Sequence, residues 1–313
     1  MAARTPAPPL PPYVEYGGTA TTPQPDLVKD CVLYGFFPEA NRQKLESLCD
    51  KVFAKPSNGA VTCTPLLDRV MLTFGKAARI QPQLQPFNQM GYAVEQQVAF
   101  WIPVEVSRTS NVGSFPKLAW FVPYMWVDNP LSLSGGREIF GWAKNWGSMI
   151  LDPKAGFTLE AYGGNFDPSL PSGYFPLVKI SPVSPTASTP QDSFADTIIE
   201  WLFREALILA AEGFRDLFTQ FVKVAAPTPI IFLKQFRSVS NGLEASLQEI
   251  TGAKSSVTVL KSLEPVLTEY RLTINPLDSH KITADLGVTD QTLSAGFQVK
   301  MDFTLQNGIT LWP

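Results

Sequence analysis

The apolar positions of this chain fall mostly into short runs, many of them alternating with polar residues. Residues 30–37 form the first such run and predict a strand. In residues 38–53, Leu45, Leu48, Val52 and Phe53 recur at helical spacing, which predicts an amphipathic helix. Runs at 69–74, 92–106, 118–127, 157–162 and 174–180 are punctuated by Pro and Gly and read as strands. Residues 135–147 interrupt them and read as a turn followed by a short helix. A Pro/Ser/Thr linker at 181–190 leads into the strongest helical pattern, at 192–224. Asp192 or Ser193 can cap its start, and Glu200 and Arg204 have i,i+4 spacing. Ile198, Trp201, Leu202 and Leu209, with Phe214, Phe218 and Phe221, cover more than one face. Such a helix is buried on two sides or lies over a groove. Strands at 230–236, 243–250, 256–263, 268–274 and 295–305 follow.

These patterns predict one β-rich α+β domain over 27–313 with a helical insertion at about 190–226. The Pro-rich arm at 1–26 is expected to be disordered or to lie across a neighbouring subunit. At 45% hydrophobic residues the chain can build a core, which excludes wholesale disorder. With 25 Lys+Arg against 28 Asp+Glu it has no basic excess for phosphates, so no nucleic-acid partner is expected. No stretch reaches the ~20 apolar residues of a membrane span, and the N-terminus lacks the apolar core of a signal peptide. The expectation is therefore a soluble, cytoplasmic protein without a membrane partner. Cys31, Cys49 and Cys63 are odd in number and lack C-x-x-C spacing, as reduced structural thiols do. The single histidine, His280, excludes a multi-histidine metal site, and no metal is expected. It is expected in a turn after Asp278 and Ser279.

Phosphate-binding, dinucleotide-binding, serine-hydrolase and zinc-protease motifs are all missing from the sequence. Glu244 and Glu249 read as solvated charges. Lys144 is the residue with candidate chemistry, because Phe140, Trp142, Trp146 and Met149 surround it in sequence. Apolar surroundings disfavour an ammonium and favour the free amine. A free amine can condense with a ketone to an iminium, which accepts the electrons of a breaking carbon–carbon bond.

This region resembles the signature of the acetoacetate decarboxylase family. Asp128 and Asn129 precede Gly136, Arg137 and Glu138, and Lys144 follows the glutamate at the position of the family's Schiff-base lysine. Residues 91–95, followed by Ile102, Pro103 and Val104, are similar to the segment carrying the family's active-site glutamate, here Glu95. Phe232 to Lys234 and Glu249 to Ile250 resemble later strands more loosely. The resemblance spans roughly residues 28–290, with 190–226 as an insertion. It implies a curved antiparallel sheet with a double-psi-like barrel core.

By the same resemblance Lys144 is the nucleophile and Glu95 moves protons. Arg137 and Glu138 are expected to hold the turn or touch substrate. From residue type alone, Tyr92 and Trp142 read either as core or as lining of an apolar substrate site. The family activates its lysine by desolvation or by a neighbouring cation. Asn145 stands where the family has a second lysine, and Ala143 where it commonly has proline. The family's carboxylate-binding arginine has no counterpart among Lys29, Asp30 and Cys31, and a second glutamate is missing near Val70 to Phe74. The implied function is decarboxylation of a small-molecule β-oxo acid without metal or organic cofactor, in a homo-oligomer. One alternative is aldol addition and dehydration of a pyruvate-type oxo acid on the same lysine. Another is a non-catalytic or cyclase-like hydrophobic-ligand binder.

Overall fold

Long strands with alternating buried and exposed side chains build most of the molecule. The computed structural model describes residues 10–109, 115–184 and 212–313. The first half holds β1 (Asp26–Phe36), α1 (Arg42–Cys49), β2 (Val61–Pro65), β3 (Met71–Pro82), β4 (Ala93–Arg108) and β5 (Leu118–Val127). Next come α2 (Pro130–Gly135), β6 (Lys144–Asp152), β7 (Gly156–Gly163), β8 (Gly173–Ser184) and α3 (Glu212–Val222). The last third holds β9 (Pro227–Arg237), β10 (Ala245–Val266), β11 (Glu269–Ile274), α4 (Ile282–Leu286), β12 (Gln291–Leu293), β13 (Gly296–Leu305) and β14 (Ile309–Trp312).

Among the described residues all the strands belong to one mixed sheet. Its order is β12-β11-β8-β7-β6-β5-β9-β10-β13-β1-β3-β4-β2, with β14 beside β10. Because β4 also pairs with β5, seven strands close into a ring: β5, β9, β10, β13, β1, β3 and β4. Two pairings, β5–β6 and β5–β9, are parallel, which corrects the expected antiparallel sheet. Among the described residues the pairings define this ring and not a double-psi crossing.

Two strand predictions merge. The runs at 243–250 and 256–263 form the single 22-residue strand β10. Gly252, Lys254 and Ser255 look like turn residues, but β9 pairs with all three and holds them extended. The helix expected within 135–147 lies earlier. Asn129 caps it by accepting from the backbone of Leu131 and Ser132, and Pro130 occupies its first turn. It continues as one wider turn through Phe140 and stops at Gly141, whose φ of 87° is left-handed. Lys144 thus opens a strand.

Successive residues of β4 and β5 enter two different interiors, as strand geometry requires. Phe100, Phe121 and Trp126 join a cluster with Phe36, Phe74 and Phe157. Trp101, Trp120 and Met125 join a second one with Phe140, Trp142 and Phe297. In α3, Phe214, Leu217, Phe218 and Phe221 are all buried in the second cluster. The remainder of the predicted helix, with Asp192, Ser193, Glu200 and Arg204, lies outside the described residues.

The described part of the N-terminal arm lies against its own chain. Tyr13 donates to Glu138 Oε1 at 2.9 Å, and Ser134 Oγ donates to the carbonyl of Ala20 at 2.6 Å. No helix among the described residues is long and apolar enough to cross a membrane.

Candidate active site

Pleating aims one face of each ring strand inward, and the interior of the ring is incompletely filled. A cavity of about 250 Å³ remains there, and every ring strand contributes to its wall. This is just below the ~300 Å³ at which ligand pockets usually begin, so it suits a small or medium ligand. Val28, Ile80, Trp101, Met125, Phe140 and Met301 make the wall mainly apolar. Its charged residues are Asp26, Glu95 and Lys144.

Lys144 is 8% exposed and Glu95 4%. The ammonium Nζ is 3.5 Å from Glu95 Oε2, an ion-pair distance without hydrogen-bond geometry, and Glu95 Oε2 has no hydrogen-bond partner. Instead Nζ donates to Ser132 Oγ at 2.5 Å. Its aromatic neighbour is Trp142, whose ring centroid is 6.0 Å from Nζ. Trp146 and Met149 do not contribute to this environment. The Trp146 indole bonds Tyr174 Oη, and Met149 packs in the other cluster.

The Asp-Asn pair explains how lysine and glutamate meet. Asp128 accepts from the backbone N–H of Gln96 at 2.7 Å, and the Asn129 side chain donates to the carbonyl of Val94 at 2.9 Å. Together they grip β4 on both sides of Glu95. Asn129 also caps α2, which presents Ser132 to the lysine. At Gly136 a Cβ would lie 2.7 Å from Lys144 Cδ, so any larger residue there would displace the lysine side chain. At Gly141 a Cβ would meet Lys234 Cα at 2.5 Å.

The structure brings together four of the six predicted site residues: Lys144, Glu95, Trp142 and Tyr92 line the cavity. Tyr92 is at the mouth, 57% exposed, with the Arg79 guanidinium 4.6 Å from its ring centroid. Arg137 and Glu138 do not line it. Arg137 Nη1 donates to the carbonyl of Lys144 at 2.9 Å, which ties the turn to β6, and Glu138 accepts from Tyr13. Both side chains are spent on backbone and arm. Asn145 bonds the carbonyl of Ala143 at 3.1 Å, so no second cation stands there.

Sequence reasoning missed Asp26, Gln24 and Ser132. Asp26 is 9% exposed at the start of β1 and lines the cavity. Gln24 Nε2 donates to its Oδ2 at 2.7 Å, whereas Asp26 Oδ1 is buried without a partner. Burial pushes the Asp26 carboxyl above its ordinary range, against the pull of the Gln24 amide and of Lys144. Thr19 and Thr22, from the arm, complete this wall. No local signal marks these residues, since only the ring closure and the path of the arm bring them to the lysine.

Cys31, Cys49 and Cys63 are free and buried. Cys31 faces the cavity, and burial together with Glu95 pushes its thiol up to about 12, so it is a poor nucleophile at neutral pH. His280 is buried on the opposite side against Trp126, and its backbone N–H closes a turn onto Leu277. Burial lowers its basicity.

Solved structures share this architecture. An acetoacetate decarboxylase from Legionella pneumophila subsp. pneumophila str. Philadelphia 1 matches with a TM-score of 0.62 at 12% identity, over 97% of this chain and 92% of that one. Another acetoacetate decarboxylase matches with a TM-score of 0.57 at 13% identity, over 94% and 91% of the two chains. The enduracididine biosynthesis enzyme MppR complexed with pyruvate matches with a TM-score of 0.52 at 12% identity, over 93% and 91%. No protein-family model and no curated protein sequence matches the chain. At these identities the likeness establishes the fold, and the chain has the architecture of acetoacetate decarboxylase-like enzymes.

Proposed function

We propose that this protein is a cofactor-independent carbon–carbon lyase working through an imine on Lys144. The observation that carries this reading is the buried Lys144–Glu95 pair, 3.5 Å apart, inside a mainly apolar cavity. Taking an amine and carboxylates out of water is costly, and a passive hydrophobic carrier would gain nothing from them. Glu95 takes the ammonium proton and frees the amine. The amine adds to a substrate carbonyl, and Glu95 returns the proton to the departing hydroxyl as water leaves. The resulting iminium accepts the electron pair of the adjacent carbon–carbon bond. Protonation of the enamine carbon and addition of water then release product and regenerate Lys144.

Two departing groups suit this iminium. Carbon dioxide leaves from a β-oxo acid, as the likeness to acetoacetate decarboxylase suggests. An aldehyde leaves in the reverse of an aldol addition, and MppR, solved with pyruvate, shares the fold. Among the described residues no arginine lines the cavity, so the carboxylate of a β-oxo acid or of a pyruvate-type acid would find no cation besides the nucleophile, which favours an uncharged aldol as the substrate of the second.

Incubation with β-oxo acids, pyruvate-type oxo acids and neutral ketones, followed by borohydride reduction, tests the imine. The expected result is a mass adduct on Lys144. Absence of an adduct with every carbonyl compound, with Lys144→Ala unchanged in turnover, overturns the proposal.

A further inference from the structure

We infer that the substrate is an uncharged β-hydroxy carbonyl compound with an apolar body, and that Asp26 receives its hydroxyl. The inference rests on the imine reading of Lys144 and narrows it to one substrate class.

Three observations converge. The cavity wall carries two carboxyl groups, Asp26 and Glu95, against one amine, Lys144. Among the described residues no arginine and no further lysine lines it. Once Lys144 has given up its proton to attack, the wall holds no cation, and a substrate carboxylate would face like charge in an environment of low polarity.

Second, the unmatched hydrogen-bonding groups of the lining residues are acceptors. Gln24 Oε1, Asp26 Oδ1 and Glu95 Oε2 all belong to lining residues, are buried and lack a partner. A buried acceptor without a donor is destabilising, and a ligand that supplies one gains from it. A carboxylate ligand supplies no donor, whereas a hydroxyl does.

Third, the rest of the wall is apolar, and the mouth is rimmed by the exposed side chains of Met90, Tyr92 and Leu131. An apolar body can enter and be covered there.

The chemistry balances without a further reagent. Lys144 condenses with the ketone and expels water. The Asp26 carboxylate takes the β-hydroxyl proton, the bond between the α and β carbons breaks, and its electrons move to the iminium nitrogen. An aldehyde leaves. The enamine takes a proton back from Asp26 at carbon, and water hydrolyses the iminium to a shorter ketone.

The test uses the full chain with three probes: the aldol of acetone and benzaldehyde, acetoacetate, and pyruvate. Borohydride trapping on Lys144 is expected to be about tenfold or more faster with the neutral aldol than with either oxo acid. Benzaldehyde should appear in the absence of borohydride. Asp26→Asn should slow benzaldehyde release about a hundredfold while the adduct still forms. Asp26→Arg should raise trapping of acetoacetate about tenfold. Trapping of oxo acids as fast as the aldol in the native chain overturns the inference and leaves the imine standing. Unchanged benzaldehyde release in Asp26→Asn overturns it as well, even if Asp26→Arg does not fold. No adduct with any probe overturns both.

Discussion

Phe100 and Trp101 are neighbours on β4 but face opposite interiors. On the Phe100 side, Phe157 packs on Tyr34, Phe36, Phe74 and Tyr270 with ring centroids 5.1–5.9 Å apart. Tyr124 there donates to Asp285 at 2.5 Å, while the Trp126 indole N–H is buried without a partner. Burial and that carboxylate hold the Tyr124 phenol protonated. On the Trp101 side the aromatic residues stop short of filling the ring, and three acceptor oxygens are left over. One side gains stability from dense packing. The other gives up part of that stability to hold an amine and two carboxyls around a vacant volume. Strain on satisfaction of this kind is expected where a ligand supplies the missing partner.

Four changes break or sharpen this contrast. The largest effect is expected from Lys144→Met, which removes the amine while keeping most of the side-chain volume. The borohydride adduct should vanish entirely, as mass spectrometry would show, and a residual adduct on the same peptide would sink the assignment.

Next, the packed side should be far more sensitive to truncation than the hollow one. Phe157→Ala should cost about 3–5 kcal/mol in urea unfolding. Met301→Ala, at the cavity wall, should cost about 2 kcal/mol, because the residue borders space that already exists. Equal costs would contradict the contrast.

Third, Gly136→Ala places a Cβ against Lys144 and should displace Nζ from Glu95 and Ser132. Adduct formation should slow by about ten- to a hundredfold, with the urea midpoint little changed. A rate equal to that of the native chain would show that the lysine need not hold this position.

The smallest effect concerns pH. Burial raises the Asp26 carboxyl in the folded chain above its unfolded value of 3.8. Between the unfolded and folded values the native state holds more protons than the unfolded state. The contribution of Asp26 to stability therefore falls as pH rises through that window, and is fully present below it. Thermal unfolding of Asp26→Asn over the acidic range should lose this downward slope. An unaltered slope would place its origin elsewhere.

Part of this was legible beforehand. The strand runs follow from period-two alternation, whereas the interval from Glu138 to Lys144 and the upstream Glu95 stood out only through the resemblance to the acetoacetate decarboxylase signature. The gripping role of Asp128 and Asn129 was not legible, since it depends on Gln96 and Val94 being adjacent in space. Lys144 was expected after a helix start and is found opening a strand. Its polar successors Asn145 and Ser148 hide a run that pairs with β5 and β7. The arm was expected to be disordered or to lie across a neighbouring subunit, and its Thr19, Thr22 and Gln24 line the cavity.

By itself the sequence determined that strands would dominate, that the interior would be rich in aromatics, and that an amine was the group available for covalent chemistry. Alternation says that the two faces of a strand differ; it does not say what stands opposite each face. Only the tertiary structure decided that, because pairing β4 with β5 closes a ring from residues far apart in the chain. The same closure set the Asp26 carboxyl on the same cavity wall as Lys144 and left its Oδ1 without a donor.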